Sequence, residues 1–222
     1  MTRTVPTLSV PLLSLRSGRI IPFGPQGESS AIAKLPVAGR VAVGRHGLAG
    51  DQQADQVHHG GPDKALHHYP FDHYGAWLME LPAQAGLLHT PGAFGENLAT
   101  LGMTEANVCL GDIFRLGTAV IQVAQGRQPC WKLNQRFGVA DMVTRVLISG
   151  RTGWYYRVLE PGEVAAGDHF ELIERGWPDW PLSRLWRVLF GPAIDAEALA
   201  ELARLDVLAA GWRERAARRL GD

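Results

Sequence analysis

The stretch from residue 107 to residue 175 constrains the fold most. "NVCLGDIFRLGTAVIQVAQ" sets apolar runs between Gly111-Asp112 and Gly117-Thr118. "GWYYRVLEPGEVAAGDHFELIER" repeats the pattern, with Pro161-Gly162 and Gly167-Asp168 as its turns. Short apolar runs separated by turn pairs read as meandering hairpins. Many short strands with few helices argue for a β-barrel or sandwich. Looser strand patterns precede them at residues 7–21 and 37–44. Residues 71–81 read as a short amphipathic helix, and residues 138–150 as another with Met142, Val143, Val146 and Leu147 on one face.

The character changes at Gly176. Residues 176–191, 195–205 and 209–220 read as three short helices, with Asp195 as an N-cap. The expected organisation is therefore a mainly β domain over residues 1–175 and a small three-helix domain over residues 176–222. Trp177, Trp180, Trp186 and Trp212 are too much apolar surface for free exposure, so they are expected to pack on each other, on the barrel or in a homodimer.

Charge excludes some functions. Lys+Arg and Asp+Glu are both 22, so no global field draws the chain to nucleic acid or an anionic membrane. The last 47 residues carry seven Arg and seven acidic residues, which argues against a DNA-binding tail despite the cluster of Arg213, Arg215, Arg218 and Arg219. No apolar run reaches the ~18 residues of a membrane span, and Pro6 and Pro11 break the mildly apolar start, so neither a span nor a signal peptide is expected. Two cysteines make no disulfide framework and hold no iron–sulfur cluster alone, and a reduced, cytoplasmic protein is expected.

The polar loop at residues 45–70 holds little that would fill a core, and long loops of that kind are usually functional. It carries His46, His58, His59, His67 and His68, with His73 beyond, but no HExxH spacing, so a zinc site is disfavoured against surface histidines and hydrogen-bond networks. "HGGPDK" is more suggestive: Gly60 and Gly61 let backbone N–H groups approach a ligand, with Asp63 and Lys64 as acid and cation. An ordinary turn is the competing reading. The chain has only three lysines, Lys34, Lys64 and Lys132.

The two cysteines differ. Cys109, in "NVCLGD", fits a small buried hydrophobe. Cys130 follows Pro129 and stands three residues after Arg127, a cationic neighbour of the kind that favours thiolates. A thiolate there serves as nucleophile or as soft-metal ligand.

"GLAGDQQADQVHHGGPDKALHHYP", "PGAFGENLATLGM", "VCLGDIFRLGTAVIQVAQGRQPCWKL" and "GRTGWYYRVLEPGEVAAGD", in that order, resemble the MOSC domain family, in its YiiM-like branch. Residues 176–222 resemble the three-helix domain that follows it there. The resemblance implies a distorted β-barrel, a molybdenum cofactor, and reduction of N-hydroxylated compounds such as 6-N-hydroxylaminopurine, amidoximes and hydroxylamines, a detoxification of base analogues. The pterin dithiolene already supplies two sulfurs, so one protein thiolate suffices, and Cys130 stands where the family places that ligand. By the same carry-over Arg127 and Lys34 are candidates for the pterin phosphate, and Asn97 for the pterin edge. Gly60, Gly61 and Lys64 would complete the cofactor site, with His59 or Asp63 as proton donor. There is no dinucleotide fingerprint, so a separate flavin or iron–sulfur reductase is the expected electron donor. The rival reading is a cofactor or sulfur carrier without turnover.

Overall fold

The structure, a computed structural model, describes residues 9–55 and 60–221. The N-terminal half runs β1 (Ser9–Pro11), β2 (Ser14–Ser17), β3 (Ile21–Pro22), β4 (Ser29–Ser30), β5 (Leu35–Pro36), β6 (Val41–Gly44), β7 (Gly47–Leu48) and β8 (Leu66–His68). Helices α1 (Tyr74–Glu80) and α2 (Ala85–Leu88) precede β9 (Leu98–Ala99), β10 (Ile113–Leu116) and β11 (Ala119–Gly126). Then come α3 (Lys132–Phe137), α4 (Met142–Ser149), β12 (Trp154–Glu160), β13 (Gly162–Val164) and β14 (His169–Glu174). The chain closes with α5 (Leu182–Phe190), α6 (Ala196–Leu202) and α7 (Ala210–Leu220).

Nine strands form one curled sheet in the order β1-β14-β10-β11-β12-β8-β9-β2-β5. It is the expected distorted barrel, left open as a half-barrel, with α-helices packed around it. The hairpin of β10 and β11 pairs Ile113 with Gln122 through Leu116 with Ala119, and β14 extends it on the other side. The β11 sequence "AVIQVAQG" is buried at every position but Gln122, as a central strand covered on both faces must be. Its outer cover is the C-terminal helices. A methyl group on Gly126 would come within 2.7 Å of the Trp212 ring, and Ala209 N–H donates to the Ala124 carbonyl at 3.1 Å.

Helices α6 and α7 stand where expected, while α5 begins only at Leu182, six residues into the span read as helix; the Asp195 carboxylate caps α6 by accepting from Ala198 N–H at 3.0 Å. Trp180, Trp186 and Trp212 are buried in the same continuous core as Phe114, Ile121 and Trp154, while Trp177 stays 39% exposed. The helix read over residues 138–150 is α4, but its face is narrower than expected: Met142 and Val146 are buried, whereas Leu147 is exposed. The six-residue α3 has no sequence signature, because it is too short to show a helical period.

One expectation fails. The loop over residues 45–70 does fill a core: β8 is buried throughout and sits mid-sheet between β12 and β9. His68 packs at 4.3 Å from the Trp154 ring and 5.2 Å from Phe170. Its two ring nitrogens share hydrogen bonds with the hydroxyls of Tyr156 (3.1 Å) and Thr100 (2.9 Å). A histidine so satisfied behaves as a neutral aromatic, and burial pushes its pKa down to about 3. His67 and Tyr69 beside it are buried too.

Two outcomes follow from this packing. The unfolded His68 takes a proton near the ordinary 6.5, while the folded one stays neutral to about 3, so stability is lost as pH falls through that window. The loss from this residue is on the order of 4–5 kcal/mol by the bottom of the window. Urea unfolding should show a shallower acid slope in His68→Gln than in wild type. The division at residues 175/176 is itself a proposal. Residues 1–175 expressed alone should keep the sheet's circular dichroism but aggregate, since the helices no longer cover β11; a fragment as soluble and stable as the whole chain would remove the helices from the core's support.

Candidate functional site

The two faces of the sheet serve different ends. Along β12, Trp154, Tyr156 and Val158 point into the core, so Tyr155 points the other way. Its cross-strand neighbour on β8 is His67, and the two rings lie 5.0 Å apart. After Gly126, Arg127 N–H extends the ladder by donating to the Gly153 carbonyl at 2.9 Å. Pro129 has no N–H to carry the ladder further, and the chain turns into α3 with Cys130 at the turn, half-buried.

Tyr155, His67, Arg127 and Cys130 thus line one wall of a cleft of about 600 Å³, open mouth included. Residues 30–32, Lys34 and residues 51–55 line it too. Lys64 and Lys132 also line it, so all three lysines of the chain meet there. Four cations face two carboxylates, Asp51 and Asp55, which suits an anionic ligand.

The sequence reading missed Asp51, which organises the floor. Its carboxylate accepts from Lys34 Nζ at 2.5 and 2.6 Å, from Gly18 N–H at 2.7 Å and from Asn97 Nδ2 at 2.9 Å. Burial pushes the Lys34 ammonium down, and Asp51 opposes that shift. Asn97 lines the cleft, but its Nδ2 also donates to the Arg16 carbonyl (3.1 Å) and its Oδ1 accepts from His67 N–H (3.0 Å). Its amide is therefore engaged in fixing Asp51 and His67. Glu96 next to it is a buried loop cap, accepting from Phe94 N–H at 3.1 Å, from Gly92 N–H at 2.5 Å and from the Tyr74 hydroxyl.

Two buried polar atoms among these residues lack partners: Arg127 Nη1 and His67 Nε2. Buried polar groups are nearly always paired, so an orphan on a residue that lines a cleft is where a ligand atom would bond. Burial, the Arg127 charge and the Lys34 charge hold His67 neutral, against a hydrogen bond with the Gly95 backbone. Burial pushes the Tyr155 phenol up, and Arg127, its hydrogen-bond partner, opposes that shift.

The remaining predicted residues are placed differently. Asp63 is not among the cleft-lining residues; its carboxylate accepts from Arg157 Nε at 2.8 Å. Gly61, at φ 98°, accepts from Lys64 N–H at 3.0 Å and lines an adjoining recess with His46, Gln52 and Gln53. Gly60 is half-buried and lines neither. His59 and His58 lie outside the described residues. Cys109 is buried away from the cleft lining, with its sulfur 3.3 Å from Arg175 Nη1, and burial and Asp112 push its thiol up. His67, Tyr155 and Asp51 line the cleft without having been given a role from the sequence; only the alternation along β12 points to Tyr155.

Comparison with known proteins gives the same outline. A family profile described as the MOSC domain matches residues 55–171, and one described as a YiiM-like, 3-alpha helix domain matches residues 180–221. Protein YiiM of Escherichia coli (strain K12) is 51% identical over 151 residues, 68% of this chain and 67% of that protein. A protein named "Reductase" from Gibberella moniliformis is 40% identical over 196 residues, 87% of this chain but only 35% of that protein. The crystal structure of YiiM from Geobacillus stearothermophilus superimposes with a TM-score of 0.80 at 34% identity, covering 95% of this chain and 99% of that one.

The pairing at the cleft floor has a measurable weight. Asp51→Ala leaves the buried Lys34 ammonium, Gly18 N–H and Asn97 Nδ2 without their acceptor, and should cost about 3–5 kcal/mol in urea unfolding. A loss below ~1 kcal/mol would mean that water replaces the carboxylate and the floor is not built on it.

Proposed function

The chain belongs to the MOSC domain family, and we propose that it is a molybdenum-cofactor-dependent oxidoreductase that reduces N-hydroxylated compounds. The observation that carries this reading is the company Cys130 keeps. One half-buried thiol lines a cation-rich cleft with two orphaned buried nitrogens, Arg127 Nη1 and His67 Nε2. These residues fit a ligand with an anionic phosphate end and one metal coordination site left for the protein. Cys130 offers the soft ligand. Arg127, Lys64 and Lys132 offer charge and N–H donors to the phosphate. Lys34 backs them while tied to Asp51. Bound, the cofactor supplies a two-electron redox couple. The name of the fungal relative supports reductive chemistry.

The reaction is R–NHOH plus two electrons and two protons giving R–NH2 and water. Electrons come from a separate flavin or iron–sulfur reductase, and the setting is the cytoplasm, where such a reaction detoxifies hydroxylated bases. Among the described residues no helix is long and apolar enough to cross a membrane. The chain's own task is to hold the substrate, exclude water and deliver protons to the departing oxygen. The Asp63 carboxylate is engaged by Arg157, so His59 is the donor we favour, as a histidine titrates near neutrality.

The two cysteines test the reading. Cys130→Ser should lose molybdenum by metal analysis and lose N-hydroxy reduction, with the fold unchanged by circular dichroism. Cys109→Ser should keep both and cost on the order of 1–3 kcal/mol of stability. Full activity of Cys130→Ser at normal molybdenum content would end the thiolate-ligand reading. Normal loading of wild type with no single-turnover reduction would favour the carrier.

A further inference from the structure

Trp131 is the residue after Cys130, and it is 44% exposed. Of the seven tryptophans only Trp131 and Trp177 are exposed; the other five are buried. An indole left in water forgoes the burial that drives the others inside, so its position calls for a reason. Its neighbours in sequence, Cys130 and Lys132, both line the cleft, which puts the Trp131 backbone on the cleft wall. Its ring lies 6.3 Å from Phe23 at an angle of 47°.

Phe23 belongs to the turn between β3 and β4, and the chain leaving β4 lines the cleft at Ser30, Ala31 and Ile32. Neither ring lines the cleft itself; Trp131 stands between two lining residues and Phe23 in the turn before lining segment 30–32, so the pair flanks the cleft. Farther along the lining are Gln52 and Gln53. The Gln52 side-chain oxygen is taken by Ile20 N–H at 2.8 Å, while Gln53 is half-buried. Proteins hold a flat nitrogen heterocycle by stacking an exposed aromatic side chain on its face and hydrogen bonding to its edge.

We propose that Trp131, braced by Phe23, is a specificity-determining stacking platform for flat heteroaromatic N-hydroxylamines at the mouth of the cleft. The inference rests on the proposed reduction and selects among its substrates: ring-bearing ones gain from the platform, and small aliphatic ones do not.

The test compares wild type, Trp131→Phe and Trp131→Leu at equal molybdenum content, with 6-N-hydroxylaminopurine and with hydroxylamine. Trp131→Leu should raise KM for the purine about tenfold or more, the worth of one stacked base. It should leave kcat for the purine and KM for hydroxylamine within about twofold. Trp131→Phe should restore most of the affinity. Adenine should quench wild-type tryptophan emission, with that quench missing from Trp131→Phe. An unchanged KM for the purine, an equal rise for both substrates, or the same quench in Trp131→Phe would each overturn the platform. If wild type reduces neither compound, the proposed reduction fails, and the adenine titration still decides whether Trp131 stacks a flat base.

Discussion

The carboxylate of Asp51 ties together parts of the chain that are far apart in sequence. It accepts from Gly18 N–H at the end of β2, from Lys34 before β5 and from Asn97 before β9. An isolated buried carboxylate is costly, and so is an isolated buried ammonium. Together, with two further donors on the carboxylate, they are tolerated only in one geometry. That geometry sets the loop from residue 45 to residue 55 against the sheet and makes the floor of the cleft. Asn97 then passes the constraint to His67, whose backbone it holds on both sides, N–H to Oδ1 at 3.0 Å and carbonyl to Asn97 N–H at 2.8 Å.

Such a floor leaves the upper cleft with charge to spare. Lys34 has its counter-ion, Arg127 is buried with one nitrogen unpaired, and Lys64 and Lys132 line the same cleft against the carboxylate of Asp55. The neutral His67 contributes hydrogen-bonding capacity without adding to the repulsion. A site of this kind is preorganised for a ligand with several acceptor oxygens, and it pairs such a ligand with a thiol at the same wall.

Much of this was legible in the sequence, and the reasons differ by residue. The β10–β11 hairpin showed through its Gly-punctuated apolar runs, and Asp195 through its place before "AEALAEL". Cys130 stood out because only two cysteines exist, and the lysines because there are three. Asp51 did not show, since "GDQQAD" is an unremarkable polar loop and its partners lie 33, 17 and 46 residues away. His67 and His68 did not show because a hydropathy reading counts histidine as polar, whereas two hydroxyl partners make His68 a core aromatic. Asp63 read as an acid for the site because the sequence does not reveal that Arg157, 94 residues on, engages it.

The glycines of the quoted motifs find their physical meaning at this site. Gly95 sits at φ 76°, and a Cβ there would come within 2.6 Å of Ile32 Cγ1. Gly153 sits at φ 70°, where a Cβ would meet the His68 carbonyl at 2.3 Å and His67 Nε2 at 3.2 Å. Any side chain at Gly153 would both strain the backbone and crowd His67 Nε2, a buried nitrogen without a partner among the described residues. The clearance at that nitrogen is therefore built into the backbone of the loop before β12. The loops of both glycines look featureless by hydropathy because their work is to bring backbone close and keep side chains away.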